Sequence, residues 1–466
     1  MKISRLLALG SIVLLLAWGA ACSPGAPPTT VIPPGTSVVL ITIDTLRADH
    51  LSLNGHPHVT TPYLDRLARE GVYCSRCYAQ SSWTLPSMLS MFSSLTPAVF
   101  GVTRGVAPLD KHLKQGPLHE EEVQIEYFSS SYETLTEVLA SHGYATAGFS
   151  TNGHLRVEQG FAQGFAHFDQ ESCVWDTAEC VFVEARDWLD EYVAQPREGP
   201  FFLWVHLFDP HFDKRRDGDH DYPLYATSGT YANLFSESAK PTDSIEEKVR
   251  RSYDRKLRLT DDQIANFVEN LRERGLLDHS ILALAADHGE EFNEKGRWGH
   301  SKSLDNTLVH VPLLFRFPGE SPRGVVDVPV RNMDLAPTLL GALGIPAPAA
   351  MRGVSLMPLF EGRDQMMPAS YGETRRFGFD YRFRIDPALD RKLVLDMNSG
   401  QRWLYDLTND PGEIRDLSKV EPTTADALEH ALRTDIQEME SRGHHTQRMD
   451  TMSQEEIEHL KTLGYL

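Results

Sequence analysis

Three unbroken apolar runs in this chain are each followed by an acidic residue. The runs are 38–43, 201–208 and 281–286, and the residues that follow them are Asp44, Asp209 and Asp287. Unbroken apolar runs of this length are typical of central strands in a parallel sheet, because both faces of such a sheet are buried. Parallel sheets bind ligands just beyond the carboxyl ends of their strands. We therefore predict that the three acids converge at one edge of a central sheet.

Amphipathic helices alternate with these strands. Segments 61–70 and 244–274 are predicted helices, and a glycine closes each of them. Strands that alternate with helices predict an α/β domain, which we assign to residues 37–365. The chain then changes to short alternating stretches such as 391–395 and ends on a further helical pattern. We expect residues 366–466 to form a small α+β subdomain with an antiparallel sheet.

The residues at the strand ends have the chemistry of a metal site. Carboxylates that share a crevice repel one another unless a cation lies between them, and oxygen-rich sites suit hard divalent ions. A single strand-terminal aspartate is more often a turn residue or a helix cap. Three such sites, one of them with His288 beside Asp287, favour a metal-dependent hydrolase.

The sequence around Thr84 predicts a turn that leads into a helix. Trp83 precedes Thr84, and Pro86 lies near the first turn of the predicted helix, where proline is well tolerated. The Thr84 hydroxyl would then lie at a positive helix N-terminus, which favours an anionic ester. The alternative is that Thr84 only caps the helix.

In these motifs the chain resembles the sulfatase branch of the alkaline phosphatase superfamily. The motifs that carry the resemblance are Leu40 to His50, Thr84-Leu85-Pro86-Ser87, Phe208 to His211, Asp287-His288-Gly289-Glu290, Gly299 to Lys302, Leu404 to Leu407 and Asp410 to Glu413. The resemblance covers nearly the whole chain after its N-terminal segment. It implies an alkaline-phosphatase-like α/β sandwich, with a mostly parallel central sheet, helices on both faces and a small C-terminal α+β subdomain.

The resemblance also implies roles for individual residues. It assigns one divalent ion to Asp44, Asp287 and His288. The sequence does not distinguish calcium, manganese and zinc as the identity of this ion. Thr84 would occupy the position of the nucleophile. The residues that would hold ester oxygens or substrate are His211, His300, Lys302, Asn152, His154 and Asp209. For Lys302 an exposed surface lysine is the ordinary alternative; for Asn152 and His154 it is a polar loop with a local turn.

The chain departs from the sulfatase pattern at the nucleophile. Sulfatases use a cysteine or serine that is oxidised to formylglycine, followed by an arginine; this chain has Thr84 and Met88 at those positions. A secondary alcohol cannot become that aldehyde, so formylglycine is not expected. The resemblance implies hydrolysis of sulfate or phosphate esters, and the threonine favours phosphoryl transfer. The alternatives are a phosphoethanolamine-type transferase, or a catalytically silent surface lipoprotein that keeps the fold for binding.

The N-terminal segment predicts export. Residues 1–21 combine a short basic region, an apolar stretch and small residues, as signal peptides do. Cys22 follows directly and resembles a bacterial lipobox cysteine, and 22–36 is a proline-rich tether. We predict an exported lipoprotein at the outer membrane or periplasmic face, attached to the membrane through a lipid anchor.

The net charge and the cysteines limit which binding partners, disulfides and metal sites are expected. The formal net charge of −20 excludes binding to nucleic acid through phosphate contacts. An anionic ester of a small molecule, glycan or lipid would have to be bound by local cations. After Cys22, four cysteines remain, which suggests disulfides in an exported chain. We predict the pair Cys173–Cys180 and expect no zinc site at Cys74 and Cys77, because a strand there would direct their thiols to opposite faces.

Overall fold

The computed structural model describes residues 32–104, 106–108, 123–174, 176–195, 199–211, 244–319, 322–443 and 448–449. The predicted signal peptide, Cys22 and most of the tether lie outside these residues. The strands are β1 (Ser37–Ile43), β2 (Val72–Tyr78), β3 (Val106–Pro108), β4 (Val123–Glu126), β5 (Ala145–Ser150), β6 (His167–Asp169), β7 (Phe201–Leu207), β8 (Ser280–Ala286), β9 (Glu291–Phe292), β10 (Trp298–Gly299), β11 (His310–Arg316), β12 (Gly324–Val326), β13 (Val330–Arg331), β14 (Ser370–Thr374), β15 (Tyr381–Asp386), β16 (Arg391–Asp396), β17 (Arg402–Asp406) and β18 (Arg448–Met449).

The α-helices of the described residues are α1 (Pro62–Glu70), α2 (Thr84–Ser93), α3 (Pro97–Phe100), α4 (Leu135–Ser141), α5 (Ala178–Ala194), α6 (Ile245–Glu273), α7 (Asn306–Val309), α8 (Leu335–Ala342), α9 (Met357–Phe360) and α10 (Pro422–Arg442). The predicted helices 61–70 and 244–274 are confirmed to within one residue at each end. No helix in these ranges has the length and apolar character that a membrane span requires.

The central sheet confirms the predicted parallel core. Its strand order is β12-β2-β11-β8-β1-β7-β5-β6, with β13 also paired to β2. Strands β6, β5, β7, β1 and β8 are parallel neighbours, whereas β11 runs antiparallel to β8 and β2. Helices cover both faces, as the fold class predicts. Every residue of β1, β7 and β8 is buried, which explains why their sequences are unbroken apolar runs.

The register of the sheet places the predicted metal ligands together. In the middle of the sheet, Ile43 of β1 lies opposite Leu207 of β7 and Ala286 of β8. Asp44 and Asp287 are the next residues after two of these partners. The two carboxylates therefore leave adjacent strands at the same level.

Strands β14–β17 form a separate antiparallel sheet, on which α10 packs. The buried Lys392 of β16 connects this sheet to the main domain, because its ammonium donates to the Leu304 carbonyl at 2.7 Å and to Asn306 Oδ1 at 3.0 Å. A third bond goes to buried Glu413 at 2.6 Å. Losing one partner of such a buried pair costs about 3–5 kcal/mol, so these contacts hold the two sheets in a defined relation.

The cysteines are arranged as the sequence predicts. Cys173 and Cys180 form a disulfide, with their Cα atoms 5.8 Å apart. Cys74 and Cys77 are free, buried thiols in β2, and burial raises the pKa of both. Burial therefore favours the protonated form of both core thiols.

Candidate active site

The turn after β1 brings two carboxylates together. Thr45 has a φ of 53°, an uncommon conformation for a residue other than glycine. In this conformation its backbone N–H donates to Asp287 Oδ1 at 3.2 Å. Asp44, the residue before it, is fully buried and its own N–H donates to the Leu207 carbonyl. Backbone strain of this kind is common at functional sites.

The orientation of His288 shows which of its nitrogens can bind a ligand. Its Nδ1 lies 2.8 Å from the carbonyl oxygen of Gly289. A carbonyl only accepts, so Nδ1 carries the proton and Nε2 is left as an acceptor. That Nε2 lies 3.5 Å from Asp44 Oδ1 and 3.4 Å from Asp287 Oδ2. Three potential ligand atoms therefore converge on one point.

These three residues fit a divalent cation. Asp44 Oδ1 and Asp287 Oδ2 are buried and have no hydrogen-bond donor among the described residues. Burial, followed by the charge of Asp44, raises the pKa of Asp287 to about 6. Burial also raises the pKa of Asp44, but its histidine neighbours, His206 first, outweigh that effect and lower it to about 2. Two buried carboxylates that carry this electrostatic cost are stabilised by a bound cation.

Thr84 lies beside this cluster, as predicted. It is the first residue of α2, and its hydroxyl oxygen is 3.3 Å from His288 Nε2. Asn152 connects the two groups, because its amide nitrogen donates to Asp44 Oδ2 at 2.6 Å and lies 3.4 Å from the Thr84 hydroxyl. The amide oxygen of Asn152 accepts from the backbone of His154. Asn152 thus forms the local turn of the alternative interpretation and also contacts both the threonine and the carboxylate.

Two further predicted histidines line the same site. The rings of His300 and His288 are 4.6 Å apart, and those of His300 and His211 are 5.2 Å apart. The carboxylate of Glu290 is hydrogen-bonded to Nδ1 of His300 at 3.0 Å. Only Nε2 of that ring can therefore contact a ligand. Burial, followed by the charges of His288 and His211, lowers the pKa of His300 well below its ordinary value. His300 is therefore neutral near pH 7.

His154 and Lys302 are the remaining predicted contacts of the ester. His154 is buried, and its ring meets that of Trp83 edge-on at 6.4 Å. Burial, followed by the charge of Arg376, lowers the pKa of His154 well below its ordinary value. Lys302 is partly buried and donates to the Trp298 carbonyl at 3.5 Å, so it is not the freely exposed lysine of the alternative reading.

Asp209 does not join the site, and we correct its predicted role. Its Oδ2 accepts from the backbone N–H of Ala178 at the start of α5, at 3.0 Å. Its Oδ1 forms an ion pair with Lys256 of α6 at 2.8 Å. Asp209 comes two residues after β7, whereas Asp44 and Asp287 follow their strands directly. That offset places its carboxylate against the two helices, where it has a structural role.

Sequence reasoning missed His206 as a neighbour of the site. Its Nδ1 is hydrogen-bonded to Thr42 Oγ1 at 2.8 Å, which agrees with its predicted place in the core. Its Nε2, however, lies 3.8 Å from Asp44 Oδ2. The sequence does contain an indication of this contact. Thr42 and His206 are the polar positions of two apolar runs, and they pair in register.

A separate cluster of His50, His56 and Asp254 has potential ligand atoms close enough to share a cation. The hydrogen bonds of Asp254 favour a structural role for this cluster over a metal site. One Asp254 oxygen is 2.7 Å from His50 Nδ1, and the other is 3.1 Å from His56 Nε2. The carboxylate is thus satisfied by two imidazoles, and the cluster fastens the loop after β1 to α6.

Two buried carboxylates that need a cation, with a hydroxyl beside them, place this chain in the class of metal-dependent hydrolases of anionic esters. The chain belongs to the sulfatase family. The family model described as Sulfatase matches residues 36–345. The model described as N-sulphoglucosamine sulphohydrolase, C-terminal, matches residues 294–442. The chain is thus a sulfatase-family hydrolase.

Two curated relatives align with this chain over most of their length. The chain is 23% identical to an arylsulfatase of Clostridium perfringens, with 87% of this chain and 95% of the relative covered. It is 27% identical to human arylsulfatase A, with 86% of this chain and 85% of the relative covered. Both relatives match the main domain and the C-terminal subdomain together.

Solved structures share the fold. The phosphonate monoester hydrolase of Agrobacterium radiobacter superposes with a TM-score of 0.65 at 18% identity, with 86% of this chain and 96% of that chain covered. A structure in complex with its substrate D-glucosamine-2-N,6-O-disulfate superposes with a TM-score of 0.67 at 18% identity, with 87% and 98% covered. The α/β sandwich with its C-terminal sheet is therefore the architecture of this family.

Proposed function

We propose that this sulfatase-family hydrolase forms a covalent ester on Thr84, and that the transferred group is phosphoryl rather than sulfuryl. The observation that carries the proposal is the position of the Thr84 hydroxyl, at the first residue of α2 and 3.3 Å from His288 Nε2. Threonine cannot be oxidised to the formylglycine aldehyde. The oxygen in the nucleophile position therefore has to react as an alcohol.

The proposed reaction has two displacement steps. First, the bond between Thr84 Oγ1 and phosphorus forms as the bond from phosphorus to the leaving alcohol breaks; Thr84 loses a proton and the alcohol gains one. Asn152 holds the threonine oxygen in place, and His300 and His211 contact the ester oxygens. Water then attacks phosphorus, and Thr84 is released with its proton restored. A divalent ion held by Asp44, Asp287 and His288 would lower the pKa of the hydroxyl and neutralise charge on the transferred group.

The threonine ester also explains why we favour phosphorus. Formylglycine enzymes release sulfate because the second hydroxyl of a hydrated aldehyde lets the hemiacetal collapse. An esterified threonine has no second hydroxyl, so water must attack the central atom of the ester itself. The fold is shared with a phosphonate monoester hydrolase, which supports this chemistry, while the names of the curated relatives support sulfate esters.

A panel of chromogenic esters tests this proposal. Purified protein is assayed on p-nitrophenyl phosphate, bis-p-nitrophenyl phosphate, p-nitrophenyl phenylphosphonate and p-nitrophenyl sulfate, each with Ca²⁺, Mn²⁺ or Zn²⁺. We expect kcat/KM for the best phosphorus ester to exceed that for the sulfate at least ~10-fold. A preference for the sulfate would contradict phosphoryl transfer. Phosphoryl product on an added acceptor alcohol instead of water would identify a transferase, and no turnover at all would favour the silent binding protein.

We further propose that the enzyme is an exported lipoprotein that acts on an anionic ester of a small molecule, glycan or lipid. The basis is the signal-like segment 1–21 and the cysteine that follows it. Cys22→Ser should release the protein from the membrane fraction, because the thiol that carries the lipid is missing. Ser23→Ala is the matched control and should leave the protein with membranes. Membrane association of Cys22→Ser equal to that of the unmodified chain would refute the anchor.

A further inference from the structure

An arginine of the C-terminal subdomain reaches the candidate active site. Arg376 lies in the loop between β14 and β15 and is only 4% exposed. Its guanidinium carbon lies 4.4 Å from the centre of the Trp83 ring. Trp83 is the residue directly before Thr84, and its ring also meets the imidazole of His154 edge-on. The arginine therefore contacts the residue directly before the predicted nucleophile.

Hydrogen bonds fix this loop relative to the nucleophile. The backbone N–H of Glu373 donates to the Gln80 carbonyl at 2.9 Å, and the Ser81 hydroxyl donates to the Glu373 carbonyl at 2.9 Å. Thr374 Oγ1 donates to the carbonyl of Ser301 at 2.9 Å. The end of β14 is thus attached both to the segment that leads into Thr84 and to the segment that carries His300. Arg376 follows two residues later, so its backbone is held at a defined distance from both.

The charge of Arg376 also acts on the histidines of the site. It is among the causes that lower the pKa of His154 and of His300, in each case after burial as the largest cause. The guanidinium and the His154 ring both contact the Trp83 ring, which agrees with this effect. Since arginine stays protonated at every working pH, Arg376 supplies a permanent positive charge beside the Trp83 ring.

We propose that Arg376 binds the non-bridging oxygens of the substrate ester and selects doubly charged monoesters over singly charged diesters. This inference rests on the proposed function. A guanidinium has a planar set of donors that binds two oxygens of a phosphate or sulfate at once. A diester has one non-bridging charge fewer and gains less from that contact. In a chain with a net charge of −20, an anionic substrate needs such a local cation.

The ring of Phe377 lies beside the guanidinium of Arg376. Phe377 has a φ of 55° and is 40% exposed, and the guanidinium carbon of Arg376 is 5.0 Å from its ring centre. We expect the alcohol half of the substrate to pack against this partly exposed apolar ring.

Kinetics on two substrates tests the selectivity. Arg376→Ala should lower kcat/KM for p-nitrophenyl phosphate by about 10²–10³-fold, and lower that for bis-p-nitrophenyl phosphate by no more than about 10-fold. Arg375→Ala is the matched control, because Arg375 pairs with Glu440 at 3.0 Å on the outside of the same loop; it should change either value less than about 2-fold. Equal losses on both substrates in Arg376→Ala would overturn the inference.

Chemical rescue separates binding from a structural role. Guanidinium ion at millimolar concentration should restore part of the monoester activity of Arg376→Ala and none of the loss in a variant that is misfolded. Sodium chloride at equal ionic strength is the control. If Arg376→Ala does not fold, Arg376→Lys replaces it: the charge remains without the two-pronged donor set, and a monoester loss of about 10-fold or more is expected. Monoester kinetics of Arg376→Lys equal to those of the unmodified chain would overturn the inference.

Equilibrium binding makes the test independent of turnover. Titration calorimetry with inorganic phosphate in the presence of Mn²⁺ should show binding to the unmodified chain and to Thr84→Ala, with affinity reduced at least ~10-fold in Arg376→Ala. Phosphate affinity that is unchanged in Arg376→Ala, or absent in the unmodified chain, would overturn the role of Arg376. If phosphate binds through Arg376 and no ester is turned over, the proposed function fails and the anion site stands.

Discussion

Thr84→Ala should lose nearly all turnover, by at least ~10³-fold in kcat, while the protein still folds and keeps its metal. The reason is that the substitution removes the one atom that attacks the ester, and leaves Asp44, Asp287 and His288 in place. The measurement is kcat on the preferred ester, with thermal unfolding and metal content determined on the same preparations.

The competing explanation is that Thr84 matters only as a helix cap. The structure argues against it, because the N-cap residue of α2 is Trp83 and Thr84 is already the first residue inside the helix. The matched control is Thr134→Ala. Thr134 is a true cap of α4, where its hydroxyl accepts from the backbone of Glu137. That variant should lose about 1 kcal/mol of stability and keep its turnover. Thr84→Ala with the turnover of the unmodified chain would remove the nucleophile from the mechanism.

Asp287→Ala should lose both bound metal and activity. The variant lacks one of the three converging ligand groups, and it leaves Asp44 and His288 with an incomplete site for a divalent ion. Elemental analysis after dialysis against metal-free buffer should find less than a tenth of the metal in the unmodified chain, for a loss of ~10-fold or more in affinity.

Asp209→Ala is the control that the structure provides for this experiment. Asp209 also follows a buried strand of the sheet, but its oxygens bind Ala178 and Lys256. It should lose stability and keep its metal. Undiminished metal in Asp287→Ala, or metal loss in Asp209→Ala alone, would mean that the ligand set is assigned to the wrong strand end.

The sheet and its central strands could be predicted from sequence because burial on both faces leaves a simple pattern. β1, β7 and β8 are apolar at nearly every position, and the residues after parallel strands meet at one edge. The positions of Asp44 and Asp287 could therefore be predicted from the sequence pattern. The helix predicted over 244–274 was equally clear, since Ser244 and Glu247 form a capping box at its start.

The errors and omissions arise from contacts between distant segments. Asp209 has the same sequence pattern as the proposed ligands Asp44 and Asp287, and its offset of two residues from β7 places its carboxylate against Lys256. Arg376 belongs to a different sheet, and its position depends on hydrogen bonds from β14 to Gln80 and Ser301. No periodicity or local motif encodes such contacts, so a side chain that approaches the site from another part of the chain is found only in the structure.

Mass spectrometry after rapid quenching tests the central claim most directly. The unmodified chain is mixed with its preferred phosphate ester, quenched in acid and digested, and the peptide that contains Thr84 is analysed for a phosphoryl adduct. The same peptide from Thr84→Ala is the control. We expect the adduct on Thr84 during turnover and its disappearance once substrate is consumed. Turnover without an adduct on Thr84, or a formylglycine or phosphoryl group on another residue of the site, would contradict the proposed mechanism.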